Sequence, residues 1–444
     1  LRNLLLPPLA LACAFALPMA AGAQTTALVV PGAVQAIDPA PPAAAPPAPR
    51  RSAAPVRPAQ LPTDTRPSFG PGTLAATEAA VQRYRAIVAA GGWPRVSTGA
   101  DSPALRARLA AEGDLASAEA ATPAALAAAI RRFQLRHGLR QSGRAEGETL
   151  KALAVPAEAR LRQLEASLAR LQASAFPFGE RYVVVNIPSA TVEAVEAGTV
   201  KRRYVAVVGK KDRASPAIET RITDINFNPT WTVPTSIIRK DIIPKMQKDP
   251  GYLTRANIRI LDGKGAEVRP ASIDWSTERA VNFTLRQDPG AGNSLGAVRI
   301  NMPNNQAVYM HDTPSKRLFA QEARFHSSGC VRVADVKDFT TWLLADRAGW
   351  SKAETDRAIA AGERKDVRLP RAVPVAWTYL TGYASADGTV HFRPDVYDLD
   401  ARGGGAPLVM QRREAPSEPV FEELLLTPAE PPPPKPFWEA LFAR

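Results

Sequence analysis

Two short stretches of this 444-residue chain carry residue types able to do covalent chemistry near neutral pH. One is His-Ser-Ser-Gly-Cys-Val-Arg-Val at 326 to 333; the other is Val-Tyr-Met-His-Asp-Thr-Pro at 308 to 314. A thiol is a strong nucleophile only as thiolate, which an imidazole brought near it by the fold can generate and hold as an ion pair. Cys330 is therefore the candidate nucleophile, and His311 and His326, the second in the same loop as the thiol, are both candidate bases. Ser328 and Gly329 ahead of the cysteine make a tight turn whose backbone amides can point at a developing oxyanion. A bare Cys and His is a weak signal, because a lone cysteine is usually a buried small hydrophobe. Here the polar, glycine-flanked setting is wrong for a core residue. Metal chemistry is poorly supported: the chain has four His and two Cys and no H-E-x-x-H.

The spacing of His311 and of residues 326 to 332 resembles the signature of the YkuD-type L,D-transpeptidase domain, a His followed further on by Ser-His-Gly-Cys and an Arg. More text is similar to the large YcbB-type members of that family. It includes Asn-Pro-Thr-Trp-Thr-Val-Pro at 228 to 234, Asp-Ile-Ile-Pro-Lys at 241 to 245, Ile-Asp-Trp-Ser at 273 to 276, Leu-Arg-Gln-Asp-Pro-Gly at 285 to 290, Asn-Ser-Leu-Gly at 293 to 296 and Met-His-Asp-Thr-Pro-Ser at 310 to 315. The resemblance implies that Cys330 is the nucleophile and His311 the base, and that the amides of Gly329 and Cys330 help form an oxyanion hole. Arg332 would order the loop and meet a substrate carboxylate, Tyr309 would line the cleft, and Trp231, Asn293 and Ser327 would join the substrate-binding set. One departure is Ser328, which stands where the signature has His; the family role there is mainly a backbone carbonyl that orients the catalytic His.

The implied reaction is attack of Cys330 on the carbonyl joining the third residue of a peptidoglycan stem tetrapeptide to its terminal D-alanine. A thioester forms, and the side-chain amine of another stem's diaminopimelate resolves it into a 3-3 crosslink. Water in place of the amine gives carboxypeptidase activity from the same site, and a protein acceptor gives anchoring to the wall. No cofactor is implied, and a carbapenem is expected to acylate Cys330. Residues 235 to 287 resemble a capping subdomain, read as helical, with Trp275 and Tyr252 as aromatic anchors and Lys240, Lys245, Lys248 and Arg255 as partners for stem carboxylates. A non-catalytic wall-binding protein is the rival from another class.

The elements that must position this chemistry read as strands from Tyr182 onward: 182 to 187, 191 to 195, and 204 to 208 ending at Gly209. Phe339 to Leu344 reads as a helix below the catalytic loop. Val375 to Tyr383 with Val390 to Phe392 reads as a closing hairpin turned at Asp387-Gly388, and Trp377 and His391 as structural. The chain before Tyr182 is helical text. Helices are expected at 77 to 90, at 101 to 116 with Asp101 or Ser102 as cap, and at 124 to 137, opened by Thr122 and Pro123 and closed by Gly138. Another begins at Glu148. Ile-Arg-Arg-Phe-Gln-Leu-Arg-His-Gly-Leu-Arg at 130 to 140, with Gly147, Thr149, Leu150 and Leu153, resembles the small three-helix peptidoglycan-binding domain. Leu161, Leu164, Leu168 and Leu171 form a helical stripe that should pack on the next domain.

Composition sets the frame. The formal charge is 56 − 43 = +13, 45% of residues are apolar, and many of the 42 prolines fall before residue 72 or after 400. Two cysteines exclude a disulfide framework. The sequence pI of about 9.9 suits acidic wall stems or anionic surfaces, and no nucleic-acid motif accompanies it. Arg2, the apolar run Leu4 to Leu17 and Ala21-Gly22-Ala23 read as a signal peptide, hence export to the periplasm, with no other span of membrane length. The expectation is an α+β multidomain protein. Its parts are a signal peptide 1–23, a Pro/Ala-rich tether 24–70, a helical scaffold 71–120, a peptidoglycan-binding-like domain 121–156, a connecting helix 157–176, a β-rich catalytic domain 180–400 carrying the cap, and a Pro-rich tail 401–444.

Overall fold

The computed structural model describes residues 61–119 and 121–400. The expected leader, the tether up to residue 60 and the tail lie outside the described residues. Five helices open the described chain: α1 (Thr73–Ala89), α2 (Pro103–Ala111), α3 (Pro123–Arg136), α4 (Glu148–Leu153) and α5 (Ala157–Gln172). The side chains of Ser102 and Thr122 accept from the backbone amides of Leu105 and Ala125, both at 3.2 Å, satisfying donors that a helix start leaves open. Gly138, at φ +66°, ends α3 in the conformation that favours glycine. Leu105 and Leu109 of α2 share one core with Ile130, Phe133 and Leu153, so this helical unit begins before residue 121. Of the leucine stripe on α5, Leu161, Leu164 and Leu168 pack with α1, and Leu171 packs toward the sheet.

Behind these helices lies a buried charge network. Glu112 accepts from Tyr84, Arg108 and Arg136, Arg136 also reaches Asp114 at 3.0 Å, and Arg108 lies 3.7 Å over the Trp93 ring. Burial opposes the charge on Glu112, but Arg136 and Arg108 outweigh it and hold the carboxyl well below the usual range.

The main sheet is built from β1 (Arg181–Asn186), β2 (Thr191–Glu196), β3 (Thr199–Gly209), β4 (Ile218–Phe227), β9 (Val298–Asn301), β10 (Met310–His311), β11 (Phe325–Ser327), β12 (Val331–Val333) and β13 (Lys365–Thr378). Strand order is β11-β3-β12-β10-β9-β4-β13-β1-β2, and β2 pairs back onto β3, which closes the sheet on itself. One face of it carries a core of Val183, Val185, Ile225, Phe227, Ile300, Met310, Val331 and Trp377, onto which α9 (Val336–Leu343) packs Val336 and Phe339 and α10 (Lys352–Ala360) packs Ala358. Two expectations are corrected here. Val375 to Thr378 belong to a long strand parallel to β1, and the hairpin is β14 (Gly382–Ala384) with β15 (Val390–Phe392). Residues 61–70 of the expected tether are bound to the sheet: Arg203 donates to the carbonyls of Pro62, Asp64 and Arg66, and Val200 N–H donates to Thr65 O at 2.8 Å.

The insertion is not purely helical. Short helices α6 (Thr235–Ile237), α7 (Ile243–Lys248) and α8 (Tyr252–Arg255) accompany a second sheet, β5 (Trp231–Thr232), β8 (Thr284–Gln287), β6 (Ile258–Leu261) and β7 (Glu267–Val268), in the order β5-β8-β6-β7. Helical text hid these strands because each is only two to four residues long. Ile238, Ile242, Leu253, Ile260 and Leu285 give the insertion its own core. Among the described residues no helix is long and apolar enough to cross a membrane.

Removing Glu112 leaves two buried guanidiniums short of their shared acceptor. Glu112→Ala should cost about 3–5 kcal/mol in denaturant unfolding. Because the folded carboxyl titrates below the unfolded one, the stabilisation is present above the ordinary carboxylate range and is lost as pH falls through it. A stability difference between wild type and mutant that stays constant from pH 7 to pH 3 would contradict this assignment.

Candidate active site

The site follows from the register of three short strands. His311 on β10 pairs with Arg299 on β9 and, on its other side, with Arg332 on β12. Val298, Ile300, Met310, Val331 and Val333 point into the core. Side chains alternate along a strand, so Arg299, His311 and Arg332 form one row on the opposite face. Cys330 immediately precedes β12, and Val331 N–H donates to Tyr309 O at 3.1 Å, which sets the cysteine beside Tyr309.

Tyr309 is the hub of the site. The Tyr309 and Cys330 side chains influence each other's ionisation, and the Trp231 indole influences that of Tyr309. The tyrosine ring meets the His311 ring edge-on at 5.7 Å, and the Arg299 guanidinium lies 4.4 Å over the same ring.

Burial pushes the Cys330 thiol up to about 11, against the pull of Tyr309, Arg299 and Arg332. Burial also pushes the His311 imidazole down to about 3, helped by Arg332 and Arg299, while backbone bonds to Asp312 and Leu295 oppose it. The resting pair is thus a neutral thiol and a neutral imidazole. His311 Nδ1 bonds the Asp312 carbonyl, and a carbonyl only accepts, so Nδ1 carries the proton and Nε2 is the basic nitrogen.

Several expected residues have other work. The carbonyl holding His311 is that of Asp312, not of residue 328; the Asp312 carboxylate in turn accepts from Ala297 N–H at 3.1 Å and from Lys316. Ser328 Oγ accepts from Arg213 at 3.0 Å. The Gly329 amide donates to Ser327 Oγ at 3.2 Å and so is already engaged, while Ser327 Oγ donates to the Cys330 carbonyl. Ser327 is 2% exposed and braces the turn. Gly329 itself is required by its φ of +117°. Asn293, also 2% exposed, spends its amide on the carbonyls of Pro229 and Asp288 and on Leu295 N–H, so it holds the loop before β9. His326 is exposed, with Nε2 on the Ala323 carbonyl at 2.9 Å.

Residues that sequence reasoning missed complete the picture. Ser215 Oγ accepts from Gly209 N–H at 2.9 Å and donates to Gly329 O at 2.7 Å, pinning the catalytic loop to the end of β3. Arg213 pairs with Asp241 of the insertion while holding Ser328, so one guanidinium joins the cap to the loop. Arg299 had only the polar position of an alternating strand as its signal. The cap residues expected to anchor stems are partly engaged among themselves: Lys245 bonds the Tyr252 hydroxyl at 3.1 Å, Trp275 Nε1 donates to Pro270 O at 2.9 Å, and Arg255 pairs with Asp249.

Residues 180–364 match the family model described as YkuD, L,D-transpeptidase catalytic domain, and residues 98–153 match the one described as "Putative peptidoglycan binding domain". A curated protein of Haemophilus influenzae named "Putative L,D-transpeptidase" is 34% identical over 219 residues, covering 49% of this chain and 44% of that protein. The chain thus matches less than half of that relative's length. Solved structures that align include an L,D-transpeptidase from Stackebrandtia nassauensis, at 14% identity over 64% of this chain and 96% of that one with a TM-score of 0.23. Another, from Xylanimonas cellulosilytica, has 15% identity over 72% and 99% with a TM-score of 0.22.

With the thiol raised to about 11, iodoacetamide should alkylate Cys330 slowly at pH 7, at a rate that climbs toward pH 11. A rate profile centred near the free-cysteine value of about 8.5 would show that the thiol is not desolvated.

Proposed function

We propose, for a chain that carries a YkuD-type L,D-transpeptidase catalytic domain beside a peptidoglycan-binding domain, that it forms 3-3 crosslinks between peptidoglycan stems through a thioester on Cys330. The observation that carries the reading is the pairing of β10 with β12, which sets His311 on the strand beside the cysteine, with the Tyr309 ring edge-on to the imidazole. Because the resting pair is neutral, the thiol proton moves to His311 Nε2 as the sulfur attacks the carbonyl before the terminal D-alanine. The Cys330 amide serves the developing oxyanion, since that of Gly329 is engaged. When the tetrahedral intermediate collapses, the C–N bond breaks, the imidazolium returns its proton to the departing amine, and D-alanine leaves. The amine of a second stem then attacks the thioester, His311 accepts its proton, and the thiol is regenerated.

The cap supports transfer over hydrolysis. Trp231, on β5 of its sheet, lies near enough to influence the Tyr309 hydroxyl, and Asp241 is tied through Arg213 to Ser328, so the insertion borders the cleft and can shield the thioester from water. The helical unit at 98–153 would hold the enzyme on its polymeric substrate, and an exported, periplasmic location fits both domains.

Mass spectrometry of muropeptides after incubation with the purified protein tests the assignment. Cys330→Ala should abolish crosslinks and trimmed stems alike, and His311→Ala should slow thioester formation by orders of magnitude, with His326→Ala costing far less. Crosslinking by the Cys330 mutant, or a reversal of the two histidine effects, would overturn the mechanism.

A carbapenem should add its whole mass to the wild-type protein and nothing to Cys330→Ala. An unmodified wild-type mass after prolonged exposure would favour the non-catalytic, wall-binding reading.

A further inference from the structure

Arg299 and Arg332 stand on either side of His311 in one row of the sheet. Nε of each is buried without a hydrogen-bond partner, while both side chains remain partly exposed. Nearby arginines are treated differently. Arg213 has Asp241, Arg203 has Glu193 and Arg259 has Asp288. Among the described residues neither Arg299 nor Arg332 has a carboxylate partner, a half-buried cation is costly unless it meets an anion, and the two flank the His311 imidazole. Arg299 is the more rigidly held of the two, its guanidinium stacked 4.4 Å over the Tyr309 ring.

We infer that Arg299 receives the carboxylate of the residue that leaves, and so selects stems that end one residue past the scissile carbonyl. The inference rests on the proposed function and adds to it the element that reads substrate length. The geometry fits that span. Tyr309 stands beside Cys330 across the β10–β12 pairing, with Val331 N–H donating to Tyr309 O, and the Tyr309 ring carries the guanidinium, so the cation stands one tyrosine side chain away from the nucleophile. A single residue advances the chain by roughly 3.5 Å, and a charge-assisted hydrogen bond of about 2.8 Å reaches the rest of the way. A free carboxylate one residue beyond the attacked carbonyl therefore falls within the fork of Arg299. A carboxamide, or a further residue in place of the carboxylate, offers no charge there.

The test uses the full chain and two synthetic stem tetrapeptides, one ending in D-alanine and one in D-alaninamide, with release of the terminal residue read as kcat/KM. Wild type should prefer the acid by about 10- to 100-fold, the worth of one charge-assisted pair. Arg299→Gln should bring the acid donor down to the rate of the amide and erase the preference. Arg299→Lys should restore part of it, and Arg332→Gln should keep the acid-to-amide ratio even if it slows both. An Arg299→Gln protein that loses rate equally on the two donors would overturn the inference, because the residue would then serve the thiolate or the fold. Loss of the ratio in Arg332→Gln but not in Arg299→Gln would overturn it too, as would a wild type indifferent to the terminal charge. Turnover of neither donor by wild type would instead sink the proposed function, and the inference with it.

Discussion

The register of β10 between β9 and β12 is the constraint on which the site depends. β10 is two residues long, yet it is bonded on both edges. A slip of one residue would turn Met310 outward and His311 into the apolar core, because the side-chain period of a strand is two. Closure of the sheet through β2 and β3 removes the freedom to slip. Asp312 adds a lock, donating its amide to Val298 O at 2.9 Å and holding the loop before β9 with its carboxylate. Gly296 sits against it so closely that a Cβ there would come within 2.5 Å of the Asp312 carboxylate.

Within that frame, the electrostatics of the site are a contest between desolvation and two arginines. Burial favours the neutral forms of Cys330 and His311, and the cations soften the thiol while further discouraging a charged imidazole. The catalytic loop is held in readiness by hydroxyls, Ser215 below it and Ser327 within it.

The helical unit is part of the same body as the sheet. Arg393, next to β15, donates to Arg136 O at the end of α3 at 2.7 Å, and Phe392 packs with Tyr84 of α1 at 5.7 Å. Arg136 is also the hub of the Glu112 network, so the charges buried behind α3 fix the helices that meet the catalytic domain. The helical unit is thereby held at a set position relative to the sheet, and the strap at 61–70 adds a further tie across β2 and β3.

Local chemistry was legible from residues alone. Ser102, Thr122 and Gly138 announced their helix ends, the leucine stripe announced α5, and alternating Val-rich text announced β1 to β3, because caps and periodicity are properties of a few consecutive residues. Cys330 stood out for the same reason, a lone thiol in a polar, glycine-flanked setting, while His311 and Tyr309 were singled out by the resemblance of their motif to a known family. What required tertiary structure were the choices among equivalent partners. Which carbonyl holds His311 and which backbone groups Ser327 and Asn293 bond depend on how the folded loops turn, and in the case of Asn293 also on Pro229, far away in the chain. The strands of the insertion and the pairing of Val375 to Thr378 with β1 were hidden likewise, since a short strand carries too few residues to show a period and acquires its identity from its neighbour. Arg299 is the sharpest case. In the sequence it is one polar residue between Val298 and Ile300, and only the two strand pairings that flank His311 make it part of a site.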